Sequence, residues 1–248
     1  MDNEKERKLA VLIDADNIRY SSVKAMMEEI AKYGTPTFKR IYGDWTKPNL
    51  TGWKGVLLEN AITPIQQYSY TSGKNATDSA MIIDAMDILY SGKVDGFCIV
   101  SSDSDFTRLA TRLREAGMHV IGIGEKKTPD AFIAACDKFI YIEILSENEE
   151  SASKGKRTQK TKADGALQKI AKGTIKLITS SIADVADESG WAFLGDVGNL
   201  LIKKQPNFDP RNYGFRNLTT LLRSLDVVEI DERDTDKRRN KLIYVRLK

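Results

Sequence analysis

Aspartates follow two apolar segments of the sequence, at positions where a buried strand would end. Asp14 comes directly after the segment Leu9–Ile13. Asp103 and Asp105 come shortly after the segment Phe97–Val100. Unpaired charge at the end of a buried strand is costly, and carboxylates gathered there repel one another unless a cation lies between them. Mg²⁺ and Mn²⁺ prefer such oxygen ligands, so the pattern predicts metal-assisted chemistry on a phosphate, with nucleic acid as the first substrate to consider.

A fourth aspartate, Asp78, opens a predicted helix whose apolar positions repeat at helical spacing. Three apolar residues share its face: Ile82, Ala85 and Leu89. This pattern places Asp78 at the edge of the core, although the helix dipole also favours an acid in the first turn. Beside the other three aspartates, metal binding is the better explanation. Asp84 lies about 120° around the same helix, so geometry makes it a weaker metal ligand. We expect Asp78 and the three strand-end aspartates to converge in one cleft.

Polar residues near these aspartates are candidates for contact with the metal or the substrate. Asn17 lies in the first loop and could contact a substrate or a water on the metal. Ser101 and Ser102 follow the 97–100 segment and could hydrogen-bond a carboxylate or a phosphate. Lys74 could meet a phosphate, with an ordinary surface lysine as the alternative.

The composition is that of a globular protein, with 41% hydrophobic and 29% charged residues in a chain of 248. No apolar run is long enough to cross a membrane. The charged N-terminus MDNEKERK lacks the apolar core of a signal peptide, so we expect a cytoplasmic protein. Cys98 and Cys136 are interpreted as buried free thiols. His119 is the single histidine, which excludes a histidine-rich zinc site.

Residues 146–164 contain no large apolar residue and separate two segments of domain size. Their Ser, Lys, Glu and Thr content predicts a flexible linker, with one domain at 1–145 and a second at 165–248. The first domain has 18 basic and 20 acidic residues, and the second has 15 and 11. This modest asymmetry suits an enzyme that carries a nucleic-acid-binding module.

The first domain alternates predicted strands and helices, which favours an α/β fold with a mostly parallel sheet covered on both faces. The predicted strands are at 9–13, 37–42, 65–69, 97–101, 119–123 and 139–144. Ligands of such sheets bind at the carboxyl ends of the strands, near the point where strand order reverses. The second domain has three helical patterns, from Leu167, Phe193 and Phe215, and then two alternating strands. This order is typical of a winged helix.

Four motifs in the first domain resemble the NYN family of PIN-like nucleases: LIDADN (12–17), KNATDSAMIID (74–84), VSSDSDF (100–106) and ACDKFIYI (135–142). The resemblance implies a PIN-like three-layer α/β sandwich and divalent-metal-dependent RNA cleavage that leaves a 5′-phosphate and a 3′-hydroxyl. It also implies that Asp14, Asp78, Asp103 and Asp105 bind Mg²⁺ or Mn²⁺, and Asp84 matches a recurrent family acid. Ser102 stands where the family commonly has Gly, a mild departure that leaves the acids aligned.

The second domain resembles the OST-HTH, or LOTUS, family over residues 190–225 and 245–248. The resemblance implies RNA binding, with guanine-rich or structured RNA as a candidate ligand. Some eukaryotic members bind helicases instead, and the sequence neither identifies a protein partner nor decides between a monomer and a homodimer. The candidate phosphate contacts are basic: Lys203, Lys204, Arg211, Arg216, Arg223, Lys237, Arg238, Arg239 and Lys241. Tyr213 is a candidate for stacking on a base.

Two alternatives to a ribonuclease stay open at this point. The pair Asp14 and Asp16 also matches the DxD start of aspartate-nucleophile phosphatases, but that family usually has Thr or Val where this chain has Ile18, and no later lysine motif is clear. A trapped aspartyl-phosphate would identify such an enzyme. The other alternative is a non-catalytic RNA-binding regulator, against which the intact set of acids argues.

Overall fold

The computed structural model of the chain describes residues 6–68, 76–145, 170–234 and 241–248. The chain divides into two compact units, Met1–Gly155 and Lys156–Lys248. The predicted linker and both of its boundaries fall within or beside residues 146–169, which lie outside the described residues, and they stay predictions. Across the described ranges, we find no helix with the length and apolar character needed to span a membrane.

One parallel sheet of six strands forms the centre of the first unit. Its strands are β1 (Lys8–Asp14), β2 (Thr35–Gly43), β3 (Thr63–Gln66), β4 (Gly96–Val100), β5 (His119–Gly124) and β6 (Lys138–Tyr141). Their order is β3-β2-β1-β4-β5-β6, and every neighbouring pair is parallel. The chain therefore winds outward in both directions from β1 and β4. The strand order reverses between these two central strands, which makes their carboxyl ends the expected ligand site.

Helices cover both faces of this sheet: α1 (Val23–Ile30), α2 (Trp53–Asn60), α3 (Ala76–Tyr90), α4 (Thr107–Glu115) and α5 (Asp130–Ala135). Alternate residues of β1 contribute to two separate cores, because successive side chains of a strand point to opposite faces. Leu9, Val11 and Ile13 join the core that contains α1 and α2 residues. Ala10 and Leu12 join the core that contains α3, α4 and α5 residues. The three-layer α/β architecture predicted from the sequence is thus confirmed.

The sheet differs from the prediction at its two edges. The third strand covers Thr63–Gln66 rather than 65–69, and part of the predicted segment lies outside the described residues. The last strand ends at Tyr141, and residues 142–145 are helical rather than extended. Ile142, Ile144 and Leu145 are buried in the first core. Their apolar spacing matched a strand because a run this short does not distinguish the two periodicities.

The second unit combines three helices with a small antiparallel sheet. Its elements are α6 (Lys172–Val185), β7 (Ala192–Phe193), α7 (Leu194–Lys204), α8 (Leu218–Arg223), β8 (Val228–Asp234) and β9 (Lys241–Leu247). The strand order is β7-β9-β8, and one apolar core is shared by the helices and the sheet. These elements confirm the predicted three helices and hairpin of a winged helix.

The starts of all three helices in this unit differ from the prediction. The first helix begins at Lys172, since Ile170 and Ala171 are not helical, and the predicted start at Leu167 lies outside the described residues. Phe193 belongs to the short strand β7, which the sequence pattern had assigned to the second helix. The third helix begins at Leu218, three residues after Phe215, because Asn217 caps it. The Asn217 side chain accepts a hydrogen bond from the Thr220 amide at 2.9 Å, and the Thr220 hydroxyl accepts one from the Asn217 amide at 3.3 Å.

Candidate active site

Asp14 is buried at the carboxyl end of the central strand β1, where only 2% of its surface is exposed. Its carboxylate accepts hydrogen bonds from the Ser101 hydroxyl at 3.0 Å, the Asp16 amide at 3.1 Å and the Asn17 side-chain amide. Burial raises the pKa of Asp14, and the hydrogen bonds from Asn17 and Ser101 oppose that rise because they stabilise the charged form. Asn17 and Ser101 therefore support the first aspartate.

Asp103 and Asp105 lie in the loop that follows β4, next to the end of β1. The Ser101 hydroxyl accepts a hydrogen bond from the Asp103 amide at 3.1 Å. The Asp103 carboxylate accepts one from the Asp105 amide at 3.0 Å, which caps the short 3-10 turn that precedes α4. Capping thus accounts for part of the role of Asp103, as in many helix starts, but it gives no role to the Asp105 side chain.

Ser102 connects the loop after β4 to the loop after the neighbouring strand β5. Its hydroxyl accepts a hydrogen bond from the Glu125 amide at 2.8 Å, and this bond joins the β4 loop to the loop that follows β5. The Ser101 amide in turn donates to the Ile123 carbonyl at 3.0 Å. Both serines therefore fix the loop that carries Asp103 and Asp105.

Asp78 projects from the first turn of α3 towards this loop. Oxygen atoms of Asp78, Asp103 and Asp105 all lie within 4.8 Å of one another. Burial, and then the negative charges of Asp14, Asp103 and Asp105, raise the pKa of Asp78 to about 6 from its ordinary 3.8. Three of the four predicted aspartates are thus brought together, and Asp14 is near enough to perturb the ionisation of Asp78.

The chemistry of this donor set fits a hard divalent cation. Carboxylate oxygens from three side chains are the ligands that Mg²⁺ and Mn²⁺ prefer. A cation there would also remove the mutual repulsion that raises the pKa of Asp78. Histidine and cysteine do not contribute to this group of acids, so the donors do not resemble those of a zinc or copper site.

Asp84 has different partners from those suggested by its place in the sequence motif. Its carboxylate forms an ion pair with Arg40 and accepts a hydrogen bond from the Tyr42 hydroxyl. Tyr42 is fully buried, and burial raises the pKa of its hydroxyl. Asp84 therefore joins α3 to β2 and neutralises Arg40, and it is not part of the three-carboxylate group. Lys74, the predicted phosphate contact that precedes α3, lies outside the described residues.

Sequence patterns had not identified Arg40 and Tyr42 as partners of an acid in this motif. The two residues are separated by one position on β2, so they point to the same face of the sheet. An arginine and a tyrosine at such spacing, where the strand enters the core, are the signal that could have indicated a partly buried acid opposite them.

The predicted RNA contacts of the second unit differ in their exposure and in whether they pair with an acidic residue. Lys203 and Arg216 are exposed. The ammonium group of Lys204 lies 2.5 Å from an Asp184 carboxylate oxygen. Arg211 forms two hydrogen bonds to the Asp209 carboxylate, at 2.7 and 3.0 Å.

Tyr213 packs against the buried ring of Phe208, with 6.0 Å between ring centroids. Arg223 and Lys241 both form ion pairs with Glu232. The remaining predicted contacts, Lys237, Arg238 and Arg239, lie outside the described residues. Among the described candidates, five basic side chains are exposed: Lys203, Lys204, Arg216, Arg223 and Lys241. Lys204, Arg223 and Lys241 would have to exchange an acidic partner for a phosphate.

Comparison with known proteins assigns a family to each unit. Residues 8–143 match the NYN domain, and residues 165–239 match the OST-HTH/LOTUS domain. The comparison with curated proteins finds no match.

Three solved structures are similar to parts of the chain. A protein of unknown function from Vibrio parahaemolyticus is 20% identical, with a TM-score of 0.47, over 57% of this chain and 96% of its own. An uncharacterized protein from Nitrosomonas europaea is 32% identical, with a TM-score of 0.31, over 38% of this chain and 90% of its own. A protein fragment from Chromobacterium violaceum is 34% identical, with a TM-score of 0.26, over 33% of this chain and 86% of its own.

The NYN match covers more than half of the chain, and it includes all four aspartates described above. The six-stranded parallel sheet with helices on both faces fits the PIN-like sandwich of that family. The two domains together indicate an RNA-binding protein of the nuclease-like type. The chain therefore belongs to the NYN domain family and carries an OST-HTH/LOTUS domain after its NYN domain.

Proposed function

We propose that the protein is a divalent-metal-dependent ribonuclease in which the NYN domain cleaves RNA and the OST-HTH domain binds it. The observation that carries this proposal is the group formed by Asp78, Asp103 and Asp105 at the carboxyl edge of the sheet, with oxygen atoms within 4.8 Å of one another. The group lies where the strand order reverses, the place where ligands of open α/β sheets bind.

Four aspartates would hold the cation, Mg²⁺ or Mn²⁺: Asp14, Asp78, Asp103 and Asp105. When bound, such a cation lowers the pKa of a water molecule and stabilises the negative charge that develops on the phosphate. Asp14 contributes a carboxylate that Asn17 and Ser101 keep oriented through hydrogen bonds. The Ser101 hydroxyl also orients Asp103, because it accepts a hydrogen bond from the Asp103 amide. The hydroxyl of one serine thus positions two of the proposed ligands.

Asp78 is the proposed ligand whose protonation state depends most on the metal. Its pKa of about 6 means that it retains a substantial proton occupancy in weakly acidic solution when no metal is present. A ligand must be deprotonated before it can bind, so metal binding releases this proton. Cleavage should therefore require more metal at pH 6 than at pH 7.5.

The environment of Asp14 does not favour the aspartate-nucleophile alternative. A carboxylate that attacks a phosphate must be accessible, but Asp14 is 2% exposed. Both of its oxygen atoms also accept hydrogen bonds. The charge of Asp14 contributes to the raised pKa of Asp78, and this proximity is the reason why the proposal keeps Asp14 among the metal ligands.

The proposal is tested by incubating the purified protein with a panel of structured and single-stranded RNAs, guanine-rich sequences included. Parallel reactions contain Mn²⁺, Mg²⁺ or EDTA, and the Asp103→Asn variant is the control for contaminating nucleases. We expect cleavage with one of the metals, none with EDTA, and products with 5′-phosphate and 3′-hydroxyl ends. RNA binding without cleavage under every condition would instead identify a non-catalytic regulator.

A further inference from the structure

Three aromatic rings lie on the outer face of the small sheet in the OST-HTH domain. The register pairs Phe193 of β7 with Tyr244 of β9, and their ring centroids are 5.7 Å apart. The neighbouring pair, Ala192 and Val245, is buried, so Phe193 and Tyr244 point to the opposite face. Trp191 precedes β7 by one residue, and its ring shares an arginine, Arg233, with the ring of Tyr244.

Two arginines lie over these rings. The guanidinium carbon of Arg233 is 4.0 Å from the Tyr244 ring centroid and 5.6 Å from that of Trp191. The guanidinium carbon of Arg246 is 4.6 Å from the Trp191 centroid. Trp191, Phe193, Tyr244, Arg233 and Arg246 are together called the ring–arginine surface. The two guanidinium groups lie within cation–π distance of the Trp191 and Tyr244 rings, and Phe193 extends the cluster beside Tyr244.

Acidic neighbours hold both guanidinium groups in place. An Asp231 oxygen lies 2.8 Å from Arg233, and a Glu229 oxygen lies 2.7 Å from Arg246. The two arginine side chains nevertheless stay 44% and 41% exposed, so a ligand in solution can reach both. Exposed ion pairs are weak, and a phosphate could therefore replace either acid without a large loss.

The loop before β7 fixes the backbone of Trp191. One oxygen of Asp187 accepts hydrogen bonds from the amides of Ser189 and Trp191, at 2.9 and 3.0 Å. Gly190 between them has a φ of 81°, which a residue with a side chain rarely adopts. The ring–arginine surface is thus pre-organised, which lowers the entropic cost of binding a ligand.

Core packing does not account for these rings. The apolar core of the OST-HTH domain lies on the other face of the sheet and includes Val197, Leu201 and Val245. None of the three rings belongs to that core, and Phe193 is 37% exposed. An aromatic cluster that the fold leaves at the surface indicates an interaction site.

We propose that the ring–arginine surface stacks unpaired bases of single-stranded RNA. Aromatic rings and guanidinium planes are the groups on which proteins stack splayed-out bases. An RNA strand suits this surface better than a protein partner, because the domain has 15 basic and 11 acidic residues and its arginines can exchange their acids for phosphates. The inference rests on the proposed RNA binding by this domain. It adds which surface of the domain binds and that the RNA bound there is single-stranded.

The test measures binding of the full-length protein in EDTA, so that no cleavage occurs. The probes are a single-stranded RNA of about twelve nucleotides with a central 2-aminopurine and a duplex of the same sequence. We compare the wild type with a Phe193→Leu, Tyr244→Leu double variant, which keeps apolar bulk but removes both rings. Tyr90→Leu, which changes an exposed tyrosine of the NYN domain, is the matched control.

We expect the double variant to bind the single strand roughly tenfold more weakly or worse, and to lose the fluorescence quenching that stacking causes. Duplex binding and the salt dependence should change little, and the conservative Tyr244→Phe variant should behave as the wild type. If the double variant does not fold, as judged by circular dichroism, Arg233→Gln and Arg246→Gln serve in its place, because both side chains are partly exposed.

The possible failures are distinguishable. A wild type that binds no RNA at low salt would overturn the proposed function of the domain, and this inference with it. A wild type that binds the single strand, with equal affinity and quenching in the ring and arginine variants, would overturn only the inference. Equal weakening for single strand and duplex would also overturn it, because stacking requires unpaired bases.

Discussion

The hydroxyl of Ser101 connects two proposed metal ligands, since it donates to Asp14 and accepts from the amide of Asp103. The carboxylate of Asp103 additionally accepts from the Asp105 amide through a single oxygen. An asparagine at position 103 can keep that hydrogen bond. Substitution there should therefore remove a negative charge while it preserves the loop.

We predict that Asp103→Asn lowers RNA cleavage by at least about a hundredfold, because loss of a direct ligand should cost more than loss of a residue that only supports one. In EDTA the variant should melt at the same temperature as the wild type or higher, since it relieves repulsion among the aspartates. Added Mn²⁺ should raise the melting temperature of the wild type alone. Full activity in the variant would contradict the assignment of this acid.

A second prediction concerns the pH dependence of stability without metal. The pKa of Asp78 is raised to about 6 in the folded protein, from 3.8. Folding therefore takes up a proton between these values, and the stabilisation is largest at low pH and is lost as the pH rises from about 4 to about 6. In EDTA, the melting temperature of the wild type minus that of Asp78→Asn should fall over this interval and level off above it. A difference in melting temperature that stays constant between pH 4 and pH 6 would contradict the raised pKa of Asp78.

At the scale of residues, the sequence predicted which acids lie close together where the ends of strands and helices decide it. Asp103 and Asp105 follow an apolar run, and Asp78 begins a helix, so each has a local signal. The partners of Asp84 had none, because Arg40 and Tyr42 are 44 and 42 positions away in the chain. Only the packing of α3 against β2 brings them together.

The helix α3 thus has two roles, one in its first turn and one in its middle. Asp78 in its first turn joins the proposed metal ligands, while Asp84 in its middle pairs with Arg40 and Tyr42 of β2. The ion pair fixes the position of the helix on the sheet. The position of Asp78 relative to Asp103 depends on that packing.

We predict that Asp84→Ala destabilises the fold by about 1–3 kcal/mol, because it leaves the buried Tyr42 hydroxyl and the Arg40 guanidinium without their acceptor. The folded variant should still cleave RNA, and its activity should fall only to the extent that a shift of α3 displaces Asp78. Asp87→Ala, an exposed position on the same helix, is the control and should change neither property. If Asp84→Ala keeps its stability in chemical denaturation but loses cleavage and metal binding, Asp84 is a metal ligand after all.

Elements with long, consistent patterns were predictable, and short ones were not. The central strands β1 and β4 are apolar runs that appear in the structure within one residue of their predicted bounds. Strand β7 has two residues, Ala192 and Phe193, and its pairing with β9 is not encoded in any local periodicity. The ring–arginine surface escaped sequence analysis for the same reason, since it exists only through that pairing.

At the scale of the whole molecule, the two domains have separate cores. The apolar clusters of the NYN domain contain no residue of the OST-HTH domain, and the reverse also holds among the described residues. Each domain should therefore fold when it is expressed alone. The division into two domains was predictable because the segment 146–164 lacks large apolar residues.

The charge of the two domains differs in sign, which argues for a division of labour. The segment 1–145 has 18 basic and 20 acidic residues, and its proposed active site is a group of aspartates that repels phosphate until a cation is bound. The segment 165–248 has 15 basic and 11 acidic residues. A tethered binding domain would raise the effective concentration of RNA near the acidic site.

We predict that residues 1–148 alone cleave RNA poorly at low RNA concentration and recover as RNA is raised, so that KM increases while kcat is nearly unchanged. Residues 165–248 alone should bind RNA with an affinity that falls as salt increases. In the full chain, replacement of Lys237, Arg238 and Arg239 by Glu should weaken RNA binding and reduce the dependence of affinity on salt. The control exchanges the basic residue type, with Lys237→Arg, Arg238→Lys and Arg239→Lys, and should preserve both properties. An isolated OST-HTH domain that binds no RNA at low salt would contradict this division of labour, and a protein partner would then be the better explanation of that domain.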